Sequence, residues 1–342
     1  MPRVHRIMPD MEVIVGLHNI RPRHRGCVVT IGNFDGVHHG HRMLLDHLAA
    51  KSRELGVPSL LITFEPTPRE YFRGDQVPAR LTRFHEKITL LRDTALDRVL
   101  CLPFNERTAN TMPEWVIDEL LKRQLDIRYL VVGDDFRFGK GARGDYDMLK
   151  AAGDRLGFGV SHMGTLTYDH DRVSSSRVRE ILAAGDFELA EKLLGYPYFI
   201  MGRVVYGRQI GRTIGVPTAN VPLHRYRAAL EGVYAVTVSG LEREYGGVAN
   251  IGVRPTVQGR EPLLEVHLFE FKGDLYGRRL RVVFRNKIRE ERAFSGLPAL
   301  KAQIRKDIAT ARRWLREHGL PDKPPRKGRV VRPATAGGGA TS

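Results

Sequence analysis

The first residues that could do chemistry lie in a histidine-rich stretch near the N-terminus. Residues 30–41 read Thr-Ile-Gly-Asn-Phe-Asp-Gly-Val-His-His-Gly-His. An apolar run at 28–31 predicts a buried strand, and the glycines at 32 and 36 allow close backbone approach to a ligand. His38, Gly40 and His41 then begin a predicted helix, whose N-terminus could bind phosphate while two imidazoles stabilise charge during phosphoryl or nucleotidyl transfer. Histidines are also common at solvated helix starts, so the cluster could instead bind a metal or carry no function.

A second candidate stretch lies in the other half of the chain. Residues 202–221 read Gly-Arg-Val-Val-Tyr-Gly-Arg-Gln-Ile-Gly-Arg-Thr-Ile-Gly-Val-Pro-Thr-Ala-Asn-Val. Its glycines, among them Gly207 and Gly211, suit a loop around a phosphate chain, although the spacing is not a Walker A pattern. On the glycines alone, a β-hairpin without any ligand is the simpler interpretation.

Glu265 is a third candidate, because it lies in a strand-like run between Leu264 and Val266. Alternation along a strand leaves two interpretations open. The carboxylate either faces solvent on an edge strand or is a general base directed into a site.

The surrounding elements indicate how these residues are positioned. In the first half, strand-like runs at 28–31, 59–64, 98–102 and 129–132 alternate with helical segments at 42–55, 83–94 and 112–124. Such alternation predicts a parallel sheet with helices on both faces and ligands at the carboxyl ends of the strands. After about residue 185, β-rich runs separated by Gly and Pro turns predict a small antiparallel barrel, followed by an amphipathic helix over 298–317.

Composition narrows the class of protein. The chain has 342 residues, a formal net charge of +16 and only two cysteines, Cys27 and Cys101. The unpaired cysteines argue against a disulfide scaffold or a structural zinc site. No apolar stretch reaches transmembrane length and no signal peptide is visible, so we expect a cytoplasmic protein without a membrane partner. The positive charge could mean nucleic acid, but no RNA-binding motif accompanies it, and a positive field also suits an enzyme whose small-molecule substrates carry phosphate groups.

Residues 28–180 resemble the bacterial FAD synthetases, a group within the nucleotidyltransferase superfamily with a Rossmann-like fold. The resemblance rests on Gly-Asn-Phe-Asp-Gly-Val-His at 32–38, Thr-Phe-Glu-Pro-Thr-Pro at 63–68, Gly-Asp-Asp-Phe-Arg-Phe-Gly at 133–139 and Ser-Ser-Ser-Arg-Val-Arg at 174–179. It implies adenylyl transfer from ATP to FMN. It also implies catalytic roles for His38 and His41, ATP or phosphate contacts by Gly32, Asn33, Gly40, Ser175, Ser176 and Arg179, and flavin contacts by Asp35, Phe64 and Asp135.

Residues 198–310 resemble the riboflavin kinases, through the Pro-Thr-Ala-Asn run at 217–220 and the strand that carries Glu265. The resemblance implies that Thr218 and Asn220 bind Mg²⁺ and ATP phosphates, which suits hard oxygen ligands. It makes Glu265 the base for the riboflavin 5′-hydroxyl. It further implies ATP contacts by Gly207 and Gly211 and flavin contacts by Arg289 and Phe294.

Taken whole, the chain resembles the bifunctional prokaryotic riboflavin kinase/FAD synthetases. This interpretation divides it into an adenylyltransferase domain at 1–185, a kinase domain at 186–320 and a disordered basic tail at 321–342, with riboflavin, FMN and ATP as substrates. Two alternatives remain. A basic RNA-binding protein would show strongly salt-dependent affinity for RNA, and a silent flavin-binding protein would bind flavin without ATP turnover.

Overall fold

The computed structural model describes residues 11–207, 215–256 and 259–321. The predicted ATP contact Gly211 lies outside this described part, as does the predicted basic tail from residue 322 onward. The described chain forms a parallel α/β domain followed by an antiparallel β-barrel and a final helix, which confirms the predicted fold class.

A six-stranded, fully parallel sheet forms the centre of the first domain. Its strands are β1 (Glu12–Val15), β2 (Val28–Ile31), β3 (Ser59–Phe64), β4 (Arg98–Leu102), β5 (Tyr129–Gly133) and β6 (Gly159–Met163). They lie in the order β1-β4-β3-β2-β5-β6. Strands β3 and β4 follow β2 on one side of it, and β5 and β6 then lie on its other side. The carboxyl ends of β2 and β5 therefore meet at the topological switch point, where open α/β sheets bind their ligands.

Helices cover both faces of this sheet. They are α1 (His39–Leu55), α2 (Pro68–Arg73), α3 (Phe84–Arg92), α4 (Glu106–Ala109), α5 (Pro113–Trp115) with a π-helical continuation (Val116–Gln124), and α6 (Tyr146–Leu156). Short 3-10 turns occur at Leu17–Asn19, Pro22–His24, Gly74–Gln76 and Lys140–Ala142. Val28 of β2 packs in one buried cluster with Leu45 of α1, whereas its neighbour Val29 packs in a second cluster with Leu121. Both faces of the central strand β2 are thus buried, as is typical of a parallel sheet.

A ribbon and two helices connect the domains: β7 (Thr167–Tyr168), β8 (Asp171–Arg172), α7 (Ser175–Ala184) and α8 (Phe187–Leu194). The predicted domain boundary at 185/186 falls in the turn between α7 and α8, where Gly185 ends α7 with φ +84°. Leu193 and Leu194 of α8 are buried in a core that continues into both domains. The limits 1–185 and 186–320 remain a prediction.

The second domain is a six-stranded antiparallel barrel. Its strands are β9 (Phe199–Arg203), β10 (Ala219–Pro222), β11 (Gly232–Ser239), β12 (Tyr245–Thr256), β13 (Gly259–Leu268) and β14 (Arg279–Arg289), in the order β10-β13-β12-β11-β14-β9. A backbone bridge between Val205 and Asn220 joins the two ends of that order. The final helix α9 (Leu297–Glu317) buries Ala311 and Leu315 against the outside of the barrel.

Candidate active sites

The loop between β2 and α1 has an unusual backbone. Phe34, Gly36 and Val37 have φ values of +49°, +84° and +38°. Left-handed backbone is unfavourable for residues other than glycine, and such strain concentrates at functional sites. The side-chain oxygen of Asn33 is shielded from solvent and has no hydrogen-bond partner among the described residues. The predicted ATP contact of Asn33 stays a prediction.

Asp35 anchors the loop from within. Its carboxylate accepts the backbone N–H of Leu81 at 3.1 Å and of Thr82 at 2.9 Å, and it pairs with the Arg179 guanidinium at 2.5 Å. Its carbonyl oxygen accepts the Ser175 hydroxyl at 2.9 Å. The predicted flavin contact of Asp35 stays a prediction, because the carboxylate is engaged by protein donors in this structure.

His38 and His41 stand together at the N-terminus of α1. His38 caps the helix, since its Nδ1 accepts the backbone N–H of His41 at 3.4 Å, and this cap explains why α1 begins before the predicted residue 42. The two rings stack with their centroids 3.7 Å apart, and Phe34 stacks on the other side of His41 at 4.7 Å. Gly40 packs closely on this pair, because a Cβ there would lie 3.3 Å from the His38 ring, close enough that the ring would have to shift by a few tenths of an ångström.

Burial keeps both imidazoles neutral near pH 7. It lowers the pKa of His38 to about 4, a shift that the nearby Asp35 carboxylate partly opposes. Burial also holds the pKa of His41 well below its usual range, and the neighbouring His38 adds to that effect. Because Nδ1 of His38 accepts a hydrogen bond, neutral His38 carries its proton on Nε2. The pair therefore offers N–H donors rather than fixed positive charges.

The predicted phosphate loop begins α7. Ser174 caps this helix by accepting the Arg177 N–H at 3.2 Å, and exposed Ser176 follows in its first turn. Ser175 and Arg179 both bind Asp35, and Arg179 also donates to the carbonyl oxygen of Ala79. The structure thus brings Ser175, Ser176 and Arg179 to the histidine loop as predicted, with Arg179 already engaged.

These elements line a cleft of about 2500 Å³ at the carboxyl ends of the strands. Gly32, Asn33, Asp35, His38, Gly40, His41, Phe64, Asp135, Ser175, Ser176 and Arg179 all line it. One wall is aromatic, because Phe64 meets Phe104 edge to face at 5.6 Å and the exposed Phe72 meets Phe104 at 5.7 Å. Exposed Asp135 pairs with Arg172 at 3.0 Å on the β5 side.

Sequence reasoning missed a group of charged residues at this cleft, three of which line it: Glu65, Glu70 and Arg80. Arg80 is buried between Glu65 and Glu70, at 2.5 and 3.2 Å, and donates to the carbonyl oxygen of Thr82. Lys87 of α3 is fully buried, hydrogen-bonds the Thr63 hydroxyl at 3.2 Å, and has its pKa lowered by burial to about 8. Only one of these residues carries a local signal, the capping box formed by Thr67 and Glu70 at the start of α2.

Glu265 lies at the centre of the second site. Its strand β13 pairs with β10 on one side and β12 on the other, so it is an interior strand, and the edge-strand interpretation is wrong. Leu264 and Val266 are buried in the core, whereas Glu265 faces outward between its cross-strand partners Asn220 and Asn250. The structure therefore places the predicted base beside Asn220, one of the two predicted Mg²⁺ ligands. It also places Asn250, which the sequence analysis did not single out, on the other side of Glu265.

The segment that carries Thr218 is held close to the same strand. His267, two residues beyond Glu265, hydrogen-bonds the Pro217 carbonyl oxygen at 2.8 Å. Asn220 is buried and donates to the Thr218 carbonyl oxygen at 3.4 Å. Gly207 packs directly against the Asn220 side chain, since a Cβ at 207 would lie within 2.6 Å of the Asn220 amide atoms. A larger residue than glycine at 207 would displace that side chain.

The predicted flavin contacts of this domain form a separate cluster near α9. Arg289 pairs with the buried Asp307 at 2.8 Å, and its guanidinium lies 5.6 Å from the centre of the Phe294 ring. Arg292 approaches the same ring at 5.1 Å. Arg289 and Phe294 are thus neighbours, and their flavin contacts stay a prediction.

Comparison with known proteins decides the family. Residues 20–177 match the family model described as FAD synthetase, and residues 194–315 match the model described as riboflavin kinase. The chain belongs to the bifunctional riboflavin kinase/FMN adenylyltransferase family. FMN adenylyltransferase is the activity of its N-terminal domain, and riboflavin kinase is that of its C-terminal domain. The predicted family and the predicted pair of activities are confirmed.

Relatives cover both domains at once. A bifunctional riboflavin kinase/FMN adenylyltransferase from Pseudomonas fluorescens is 51% identical over 88% of this chain and 97% of its own. The protein of the same name from Escherichia coli K12 is 49% identical over 89% and 98%. A crystal structure titled macrolide-efflux protein from Streptococcus pneumoniae has a TM-score of 0.73 at 27% identity, covering 90% of this chain and all of that one. The two-domain fold is therefore shared over 90% of this chain.

Two further observations concern metals and membranes. Among residues 11–207, 215–256 and 259–321, no cluster of three or more His, Cys, Asp or Glu side chains could hold a metal ion. No helix within those ranges is long and apolar enough to cross a bilayer.

Proposed function

We propose that residues 32–41 bind the ATP phosphates during adenylyl transfer, with His38 and His41 as the catalytic residues. An FMN phosphate oxygen attacks the α-phosphorus, a new P–O bond forms, and pyrophosphate leaves with the electrons of the broken bond. The stacked pair of neutral imidazoles at the α1 N-terminus is the observation that supports these roles. Their N–H groups can donate to oxygens on which charge develops, without a covalent intermediate.

The other residues of the cleft take supporting roles in this proposal. Gly32, Asn33, Gly40, Ser175 and Ser176 surround the phosphates, and Arg179 exchanges its Asp35 partner for the departing pyrophosphate. Phe64 provides apolar surface to the flavin, whereas Asp135 provides a polar group at the opposite side. Support comes from their common position along one cleft at the switch point of the sheet.

In the barrel, we propose that Glu265 accepts the proton of the riboflavin 5′-hydroxyl as that oxygen attacks the γ-phosphorus of a second ATP. The outward position of the carboxylate between Asn220 and Asn250 supports the role. Gly207 and Gly211 would contact the ATP phosphates, and Arg289 with Phe294 would contact the flavin.

Mg²⁺ is the metal we propose for the kinase site, held by Thr218 and Asn220. The donors fit, because a hydroxyl and an amide oxygen are hard ligands, and Mg²⁺ commonly takes its remaining ligands from phosphates and water. Bound there, it would neutralise charge on the transferred phosphoryl group.

We propose riboflavin, FMN and ATP as the small-molecule partners, without a membrane or a specific nucleic acid, and the cytoplasm as the compartment. Cys27 and Cys101 are both buried free thiols, which suits a reducing environment. The net charge of +16 requires no specific nucleic acid, since a positive field also speeds encounter with ATP and flavin phosphates.

One crossed experiment tests both sites. The pure protein is incubated with ATP, Mg²⁺ and either riboflavin or FMN, and the flavins are separated by chromatography. His41→Ala should reduce FAD formation by roughly a hundredfold or more while FMN formation persists. Glu265→Gln should reduce FMN formation by about 10²–10⁴ while added FMN is still converted to FAD. Each variant is the folding control for the other, and an equal fall of both activities in either variant would contradict the assignment.

A further inference from the structure

The segment at residues 79–83 lies between the two active domains. On one side, the N–H groups of Leu81 and Thr82 bind the Asp35 carboxylate, and the Thr82 hydroxyl accepts the Gly36 N–H at 2.9 Å. This side of the segment therefore fixes the strained loop that precedes His38.

The other side of the segment is held by the kinase domain. Arg225, between β10 and β11, donates to the carbonyl oxygens of Arg80 at 2.9 Å and Leu81 at 3.2 Å. It also pairs with Glu86 at 2.7 Å, and both of these side chains are only 1% exposed. The Tyr198 hydroxyl donates to the same Leu81 carbonyl at 3.1 Å. The two peptide groups that donate their N–H to Asp35 therefore have their carbonyl oxygens, those of Arg80 and Leu81, bound by side chains of the barrel domain.

A second contact reaches the loop directly. The hydroxyl of Tyr196, which is buried and lies within the riboflavin kinase match, donates to the carbonyl oxygen of Gly36 at 2.6 Å. Gly36 is the central left-handed residue of the loop, and its amide and carbonyl are both engaged, one by Thr82 and one by Tyr196. The Arg42 guanidinium, next to His41, lies 6.0 Å from the centre of the Tyr196 ring.

We propose that the kinase domain supplies positioning residues for FMN adenylylation, chiefly Tyr196, with Tyr198 and Arg225 acting through the 79–83 segment. None of the three needs to touch substrate. They hold Gly36 and the anchors of Asp35, so that the loop keeps its left-handed residues and presents His38 and His41 in one geometry. The inference rests on the proposed role of that loop in adenylyl transfer.

The test removes single hydroxyl groups from buried tyrosines. Tyr196→Phe and Tyr198→Phe keep the rings, and Tyr234→Phe is the matched control, because its hydroxyl is bonded to Glu231 within the barrel. Loss of one such hydrogen bond should lower kcat for FMN adenylylation about fivefold in Tyr196→Phe, with KM for ATP changed less than twofold. The Tyr196→Phe/Tyr198→Phe double variant should lose more, whereas Tyr234→Phe should keep the parent rate of FMN adenylylation. Riboflavin phosphorylation should be unchanged in all four variants.

The results separate this inference from the proposed function. If His41→Ala loses adenylylation while the single and double tyrosine variants keep it, the loop is the site but the kinase domain does not position it. A fall of both activities together in Tyr196→Phe would also overturn the inference, since it would indicate a general loss of structure. If His41→Ala retains adenylylation, the proposed site itself is wrong. Should Tyr196→Phe not fold, Tyr198→Phe carries the same comparison.

Discussion

Acid should weaken the adenylyltransferase domain through His38 in a way that can be calculated. The unfolded chain binds a proton on this imidazole below its ordinary pKa of 6.5, whereas the folded chain keeps it neutral down to about 4. A histidine whose folded pKa is depressed therefore costs stability as the pH falls from 6.5 through 4. The full loss, for a shift of 2.5 units, is about 3 kcal/mol. At pH 5 the same linkage predicts a loss of about 2 kcal/mol, and at pH 7.5 almost none.

The matching perturbation is His38→Asn, which removes the titration but keeps a side-chain acceptor suited to a helix N-cap. At pH 7.5 the free energies of unfolding of the variant and the parent differ by an amount that reflects only packing and helix capping. At pH 5 that difference should move by about 2 kcal/mol in favour of the variant, because only the parent gains a proton on this imidazole on unfolding.

Urea unfolding at pH 7.5 and pH 5.0 measures this change. Fluorescence of Trp115 reports on the first domain, provided that Trp314 on α9 is replaced by Phe in every protein compared. His39→Asn is the control, because it removes an exposed imidazole from the adjoining position. If the free energies of unfolding of His38→Asn and the parent differ by the same amount at both pH values, the argument for a buried neutral His38 is refuted.

Two further predictions concern residues around the sites. Burial lowers the pKa of Lys87 to about 8, so between pH 8 and 10.5 the unfolded chain binds more protons than the folded chain. In urea melts, the free energy of unfolding of the parent relative to Lys87→Met should therefore rise as the pH is raised through that range. A difference that does not change with pH would contradict this prediction. Gly207→Ala should displace the Asn220 amide and lower riboflavin phosphorylation by roughly tenfold or more, with FMN adenylylation retained in the same preparation. Gly164→Ala is its matched control, since a Cβ there meets nothing within 4 Å, and equal kinase rates in the two variants would show that Gly207 does not support Asn220.

Local patterns in the sequence were sufficient to predict the central strands of the first domain. The strands at 28–31, 59–64 and 98–102 occur with the bounds that their apolar runs predict, because a fully buried parallel strand is a short continuous apolar segment. The edge strands Glu12–Val15 and Gly159–Met163 were not predicted. Each pairs on one side only and carries a mixed burial pattern, so its composition does not mark it as a strand.

Only the tertiary structure decided how the motif residues are held. Nothing in the residues around Arg80 or Leu81 indicates that Asp35 binds one side of this segment and the kinase domain the other. Likewise, spacing placed His38 and His41 on one helix turn, but the stacking and burial that keep them neutral come from Phe34 and the surrounding fold. Periodicity and capping are set by neighbours along the chain and can be predicted from it. Burial, pKa shifts and the partner of a buried charge depend on residues brought together from distant positions, such as Arg225 and Glu86, and these no local pattern specifies.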